Sequence, residues 1–153
     1  KKFTIFIFII FSLTSCGYSP IYSKKDTNFE ISNFNLEGDS KVNYFIENRL
    51  KKYFNNNGEK KYNIKIKTNY EKVSASKDKT GNPTHFRLVI NLNMNYERIG
   101  SNQEEEAKGV SFSENLIIKR NGNNFEQDNY EKVIINNMSE LLTNKVILFL
   151  SNN

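Results

Sequence analysis

The sequence predicts an α+β fold: a two-layer sandwich with a four-stranded sheet and two helices on one face, in the order β-α-β-β-β-α. Three observations lead there. Three long segments alternate apolar and polar residues with period two. Two segments repeat apolar residues at helical spacing. Glycine- and asparagine-rich stretches separate them at turn positions.

Phe29 to Leu36 reads as the first strand. Its apolar phase slips from odd positions (Phe29, Ile31) to even ones (Phe34, Leu36), which predicts a bulge near Ser32-Asn33. Gly38 punctuates, and Asp39 or Ser40 can cap a helix. Val42, Phe45, Ile46, Leu50, Tyr53 and Phe54 share one helical face, broken only by Arg49. That spacing predicts about four turns, ending at Asn55-Asn56-Asn57-Gly58.

Tyr62, Ile64, Ile66, Thr68 and Tyr70 then alternate with Asn63, Lys65, Lys67 and Asn69. Phe86, Leu88, Ile90, Leu92, Met94 and Tyr96 alternate with mainly polar neighbours in the next strand. Val110, Phe112, Leu116 and Ile118 alternate with Ser111, Ser113, Asn115 and Lys119 in the last. Such strands have one covered and one wet face, as in antiparallel sheets. Val73 to Pro83 is polar, carries Gly and Pro, and reads as a connection. A second helix is expected from about Glu126 to Leu150, with Tyr130, Val133, Ile134, Met138, Leu141, Leu142 and Leu148 on its apolar side.

Composition bounds the function. The chain has 153 residues, one domain's worth, of which 37% are hydrophobic. The mean hydropathy of −0.64 excludes a multi-span membrane protein. The 13% aromatic content argues against intrinsic disorder. The net charge of +5 is too mild and too dispersed for a nucleic-acid binder.

The first residues carry the most specific signal. Lys1-Lys2 is followed by the apolar run Phe3–Leu13, the small pair Thr14-Ser15, and the single cysteine, Cys16. This is the tripartite pattern of a secretory signal. At ~1.5 Å per residue the run reaches about 16 Å, against a hydrocarbon core of ~30 Å, so it is too short for an anchor. One cysteine excludes an intramolecular disulfide.

Leu13-Thr14-Ser15-Cys16 resembles the lipobox of bacterial lipoproteins. The resemblance implies cleavage before Cys16 and a covalent N-acyl diacylglycerol lipid on it, with no other cofactor. Losing Lys1 and Lys2 with the leader leaves 20 basic and 17 acidic side chains, a net +3. Gly17, rather than Asp, after the cysteine favours the outer membrane by resemblance to enterobacterial sorting rules. Three segments follow: a signal peptide over 1–15, a lipidated tether over 16–27, and a folded domain over 28–153.

No catalytic constellation is present in the sequence, and an enzyme is not expected. His85 is the only histidine and has no cysteine partner for a nucleophile pair or a zinc site. Glu104-Glu105-Glu106 reads as hydrated loop charge, and no metal site is expected. No G-x-S-x-G, H-E-x-x-H or phosphate-cradling loop occurs.

Cys16-Gly17-Tyr18-Ser19-Pro20-Ile21-Tyr22 resembles the C-G-aromatic-x-P-[Leu/Ile]-Tyr start of the alphaproteobacterial LptE family, outer-membrane lipoproteins of lipopolysaccharide assembly. The Asn48-Arg49-Leu50 step, the Lys77-Asp78-Lys79 loop before Thr84-His85-Phe86-Arg87, and Tyr130 near the start of the last helix fall in register with it. Ser15 departs from the commoner Gly or Ala, and the last helix carries Asn and Lys where relatives tend to have Ala and Arg.

The resemblance implies a lipoprotein at the periplasmic face of the outer membrane. It would plug the LptD β-barrel, assist its assembly in lipopolysaccharide transport, and contact lipopolysaccharide where that contact is direct. Lysine and arginine attract lipopolysaccharide phosphates, so Lys65, Lys67, Lys77, Lys79, Arg87, Lys119 and Arg120 are the candidate contacts. An ordinary solvated face is the competing reading for each. The alternative function is a lipid-anchored periplasmic binding module with a small or lipid ligand in an apolar pocket.

Overall fold

The computed structural model describes residues 28–54, 57–100 and 107–153. The signal, Cys16, the tether and Glu104-Glu105-Glu106 lie outside the described residues. Strand β1 spans Phe29–Gly38, helix α1 Ser40–Leu50, β2 Lys60–Lys77, β3 Pro83–Ile99, β4 Lys108–Lys119, and helix α2 Asn124–Asn152. The expected order and fold class are those observed.

The sheet order is β1-β2-β3-β4. The β2–β3–β4 meander is antiparallel, whereas β1 runs parallel to β2. A parallel neighbour requires a crossover, and α1 supplies it. Alternation alone could not reveal this, because β1 also keeps one face covered. The bulge is present: Ile31 pairs with Tyr62 and Asn33 with Asn63, which leaves Ser32 as the extra residue. It returns Phe34 and Leu36 to the covered face, opposite Ile64 and Ile66.

Helix α1 is shorter than its apolar spacing predicts. Three turns end at Leu50, and a 3-10 turn over Lys51–Tyr53 follows. Phe54 then bridges to Ile31 in an extended conformation, so the apolar stripe continues after the α-helix has stopped. Asp39 is the cap: its Oδ1 accepts from the amides of Lys41 and Val42, each at 3.0 Å. Buried Thr68 on β2 ties this end down. Its hydroxyl accepts from the Asp39 amide at 3.1 Å and donates to Asn43 Oδ1 at 2.6 Å. Gly38, at φ 109°, passes so close to the Thr68 carbonyl that a Cβ has no room there.

The core lies between the helices and one sheet face. Val42, Ile46 and Leu50 of α1 meet Ile66, Leu88, Ile90, Leu92 and Met94, all fully buried. An aromatic chain crosses the layer: Tyr53 stacks on Phe29 at 5.1 Å, Phe29 and Tyr96 both contact Tyr62, and Tyr96 meets Phe149 of α2 at 5.1 Å.

Helix α2 departs most from expectation. It begins at Asn124, with Asn123 Oδ1 accepting from the Phe125 amide at 2.9 Å. Its buried face carries Gln127, Glu131, Ile135, Met138, Ser139, Leu142, Thr143, Val146 and Leu150. Of the residues expected on that side, Met138 and Leu142 are buried and Ile134 packs against the core. Tyr130, Val133, Leu141 and Leu148 are instead 48–56% exposed. Most of the inward polar side chains find partners that let them turn in, the buried Ser139 hydroxyl being left without one among the described residues. Gln127 Nε2 donates to Glu131 at 2.8 Å, Glu131 pairs with Lys72, and the Thr143 hydroxyl donates to the Ser139 carbonyl at 2.7 Å.

The segment expected as a connection, Val73 to Pro83, is largely strand. The ladder continues through Val73–Arg87 and Ser76–His85 to Lys77–Pro83. These β2 residues are exposed on both faces, so no apolar alternation marks them. Leu116, expected inward, lies on the covered side of the edge strand β4 yet stays 42% exposed, while Ile118 on the next row is buried.

Candidate functional site

The face of the sheet turned away from the helices is the candidate surface, because the basic strand residues point there. Register places its side chains in rows across β2, β3 and β4. One row is Lys67, Asn93 and Ser111, and the next toward the hairpin tip is Asn69, Asn91 and Ser113. The hydroxyl of Ser111 donates to Asn93 Oδ1 at 2.7 Å, and that of Ser113 to Asn91 Oδ1 at 2.8 Å. Cross-strand pairs of this kind fix a polar face without burying it.

The seven candidate cations divide into two groups. Lys65 and Lys67 lie over the body of the sheet. Lys65 Nζ pairs with Glu37 of β1 at 2.9 Å, and this hydrogen bond, with the charge of Lys65, holds the Glu37 carboxyl below its ordinary range. The other five gather at the far end. Arg87 stands between Val73 and Ile117, and Lys119 stands one row further out beside His85. Arg120 follows but lies on the covered side, lining a groove with Lys72, Phe86 and Gln127, its amide donating to the Thr84 carbonyl at 2.9 Å. Lys77 closes β2, and Lys79 sits in the tip turn. Arg87 is six positions along β3 from Asn93, the partner of Lys67, so the two rows are about 20 Å apart.

The tip turn is strongly organised. Asp78 Oδ1 accepts from the Thr80 hydroxyl at 2.6 Å and from the amides of Thr80 and Asn82, each at 2.9 Å. The Thr80 hydroxyl first, then the Asn82 amide, holds the exposed Asp78 carboxyl below its usual value. Gly81 takes φ 86°, as such a turn requires.

Sequence reasoning missed part of this surface. Val73 (45% exposed) and Ile117 (52%) flank Arg87 on the open face, and Val89 lies on the next row inward. The signal was present as the doublets Val89-Ile90 and Ile117-Ile118, where alternation fails. The far end therefore combines cations with apolar side chains, an arrangement suited to amphipathic anions. His85 is partly buried, with Nδ1 2.9 Å from the Ser76 hydroxyl, and has no acidic partner among the described residues.

On the covered side, Lys72 lies 4.4 Å from the Phe86 ring centroid and pairs with buried Glu131. Nearby Tyr70 has a buried hydroxyl without a hydrogen-bond partner among the described residues. Desolvation, with the negative charges of Glu131 and Asp39, pushes its pKa up to about 12. A groove of about 580 Å³ opens between the helices, lined by Lys41, Tyr44, Phe45, Asp128, Asn129, Glu131, Lys132 and Ile135. Its mixed polar lining differs from the apolar pocket that a binding module calls for. Among the described residues no three His, Cys, Asp or Glu side chains form a metal-binding group.

The fold is that of bacterial lipoproteins of the two-layer α/β kind. Rare lipoprotein B from Shewanella oneidensis superposes with a TM-score of 0.53 at 11% identity, over 79% of this chain and 95% of that one. A chain from Caulobacter crescentus described as a lipoprotein gives 0.51 at 8% identity, over 82% and 89%. At such identities the likeness is one of fold. No family model and no curated protein matches the sequence.

Proposed function

We propose that the protein is an outer-membrane lipoprotein, held by lipid on Cys16 at the periplasmic face, that plugs the LptD barrel and assists its assembly in lipopolysaccharide transport. The role is scaffolding and not enzymatic. The open sheet face carries the reading. Across three strands it presents amide, hydroxyl and ammonium groups already arranged in rows, which suits a body seated in a water-filled barrel lumen. The lipobox-like Leu13–Cys16, the resemblance of Cys16–Tyr22 to the LptE family, and the fold shared with rare lipoprotein B support it. The far-end pair Arg87 and Lys119, with Val73 and Ile117, is the best placed of the candidate contacts for lipopolysaccharide phosphates and acyl chains.

Co-purification is the direct test. The chain should leave the membrane in mild detergent together with an LptD barrel, and its depletion should leave lipopolysaccharide accumulating inside the outer membrane. Clean separation from the barrel, with normal surface display on depletion, overturns the reading. The anchor is tested separately: Cys16→Ala should abolish uptake of labelled palmitate.

A further inference from the structure

The two edges of the sheet differ in how they are closed to further strands. On β1 the bulge at Ser32 breaks the ladder, and Phe54 already bridges to Ile31 on the side away from β2. Strand β4 has neither device. Its 12 residues include no proline, and they pair with β3 from Lys108 to Lys119 without a register shift. Among the described residues nothing pairs with its outer side. Alternate residues of an antiparallel edge turn their N–H and C=O groups outward, so β4 presents a row of them to any extended chain. Leu116 and Ile117, 42% and 52% exposed, add apolar side chains that such a chain would cover.

Glu114 stands against that pairing. It lies opposite Ile90, so register puts it on the covered face, in line with Phe112 and Leu116. Alternation calls for an apolar residue at that position. Its carboxylate instead meets Lys145 of α2 at 2.5 Å, with the two side chains 23% and 45% exposed. While the edge is open, water still reaches both charges. A strand laid beyond β4 sets a side chain beside Glu114 and removes that water. The attraction within a buried ion pair seldom covers the desolvation of both partners. Inward charge on an edge strand is a known means of keeping sheets from joining edge to edge.

We infer that Glu114 guards the β4 edge: its inward carboxylate keeps the edge from adding a strand, whether from a second copy of this chain or from another extended segment. The inference does not rest on the barrel reading, and it agrees with a domain that stays a single body.

The test uses the chain from residue 16 onward with Cys16→Ser, which leaves off the lipid. This parent should sediment as a monomer, with the outward amides of β4 exchanging hydrogen rapidly. Glu114→Leu should keep the parental circular dichroism, raise self-association at least about tenfold, and slow exchange of those amides as concentration rises. Lys145→Ala breaks the ion pair but leaves the carboxylate, so it should stay monomeric. Should Glu114→Leu lose the parental circular dichroism, the uncharged, strand-favouring Glu114→Thr is read in its place with the same expectation. The inference is overturned if Glu114→Leu associates no more than the parent, if its association leaves β4 exchange unchanged, or if Lys145→Ala associates as strongly. A parent whose outward β4 amides are already protected by pairing overturns it as well.

Discussion

Leu92 and Asn93 are neighbours in β3 and face opposite sides of the sheet, one fully buried under the helices and the other exposed beside Ser111. The two faces are specified by different physics. On the covered face, volume decides: Ile66, Leu92 and Met94 fill space that no water can take, so each methylene counts. On the open face, hydrogen-bonding capacity decides, and water can replace most partners at little cost. The covered face therefore carries the stability, and the open face is free to carry recognition.

The largest effect should come from the covered side. Leu92→Ala is expected to lower unfolding free energy by about 2–5 kcal/mol, read from the midpoint shift in urea. If it costs no more than a surface change, the two faces are not distinct in the way described. Asp39→Ala comes next, at about 1 kcal/mol, because it strips the cap from the helix that roofs β1 and β2. Restoration by Asp39→Asn or Asp39→Ser would sharpen the assignment to capping.

Tyr70→Phe probes the border between the faces. The hydroxyl is buried without a partner, so its removal should leave stability unchanged or raise it. The sign with pH follows from the raised pKa. The tyrosine stays protonated in the folded chain up to about 12, whereas in the unfolded chain it ionises near its ordinary value of 10.0. Its contribution is complete below that value and lost as the pH rises through it toward the folded pKa. Melting curves of the wild type should fall more steeply above pH 10 than those of Tyr70→Phe, and parallel curves would remove Tyr70 from the account. The smallest change is expected for Asn93→Ala and for Arg87→Glu, each within about 0.5 kcal/mol. Arg87→Glu should nevertheless weaken capture of lipopolysaccharide-containing micelles, which separates recognition from stability on the same face.

Most of the sheet was legible because one periodicity governs each strand of the body. The bulge was legible for the same reason, since a phase slip in Phe29–Leu36 has no other economical cause. Helix α2 was not, because it is apolar on two sides. Spacing could not choose between Tyr130, Val133 and Leu141 on one side and Ile135, Leu142 and Val146 on the other, and the inward Glu131, which accepts from Gln127, finds its counter-charge in Lys72, far away in sequence. The hairpin extension was hidden because neither face of Val73–Lys77 is covered, so polar composition read as loop. Of the candidate cations, the sequence named the residue types but not their division. Only the register of β3 with β4 sets Arg87 and Lys119 on neighbouring rows and leaves Lys65 and Lys67 some 20 Å away.

The extra residue in β1 has an evolutionary consequence. Ser32 is exposed, and its side chain contributes nothing to the core, so many amino acids could stand there. Its presence is another matter. Deleting that one codon would slide everything before it by one position, turning Phe29 and Ile31 outward and Glu30 inward, or else would turn Phe34 and Leu36 out. Descendants of this chain should thus vary freely in the identity of residue 32 while preserving the length of the strand around it.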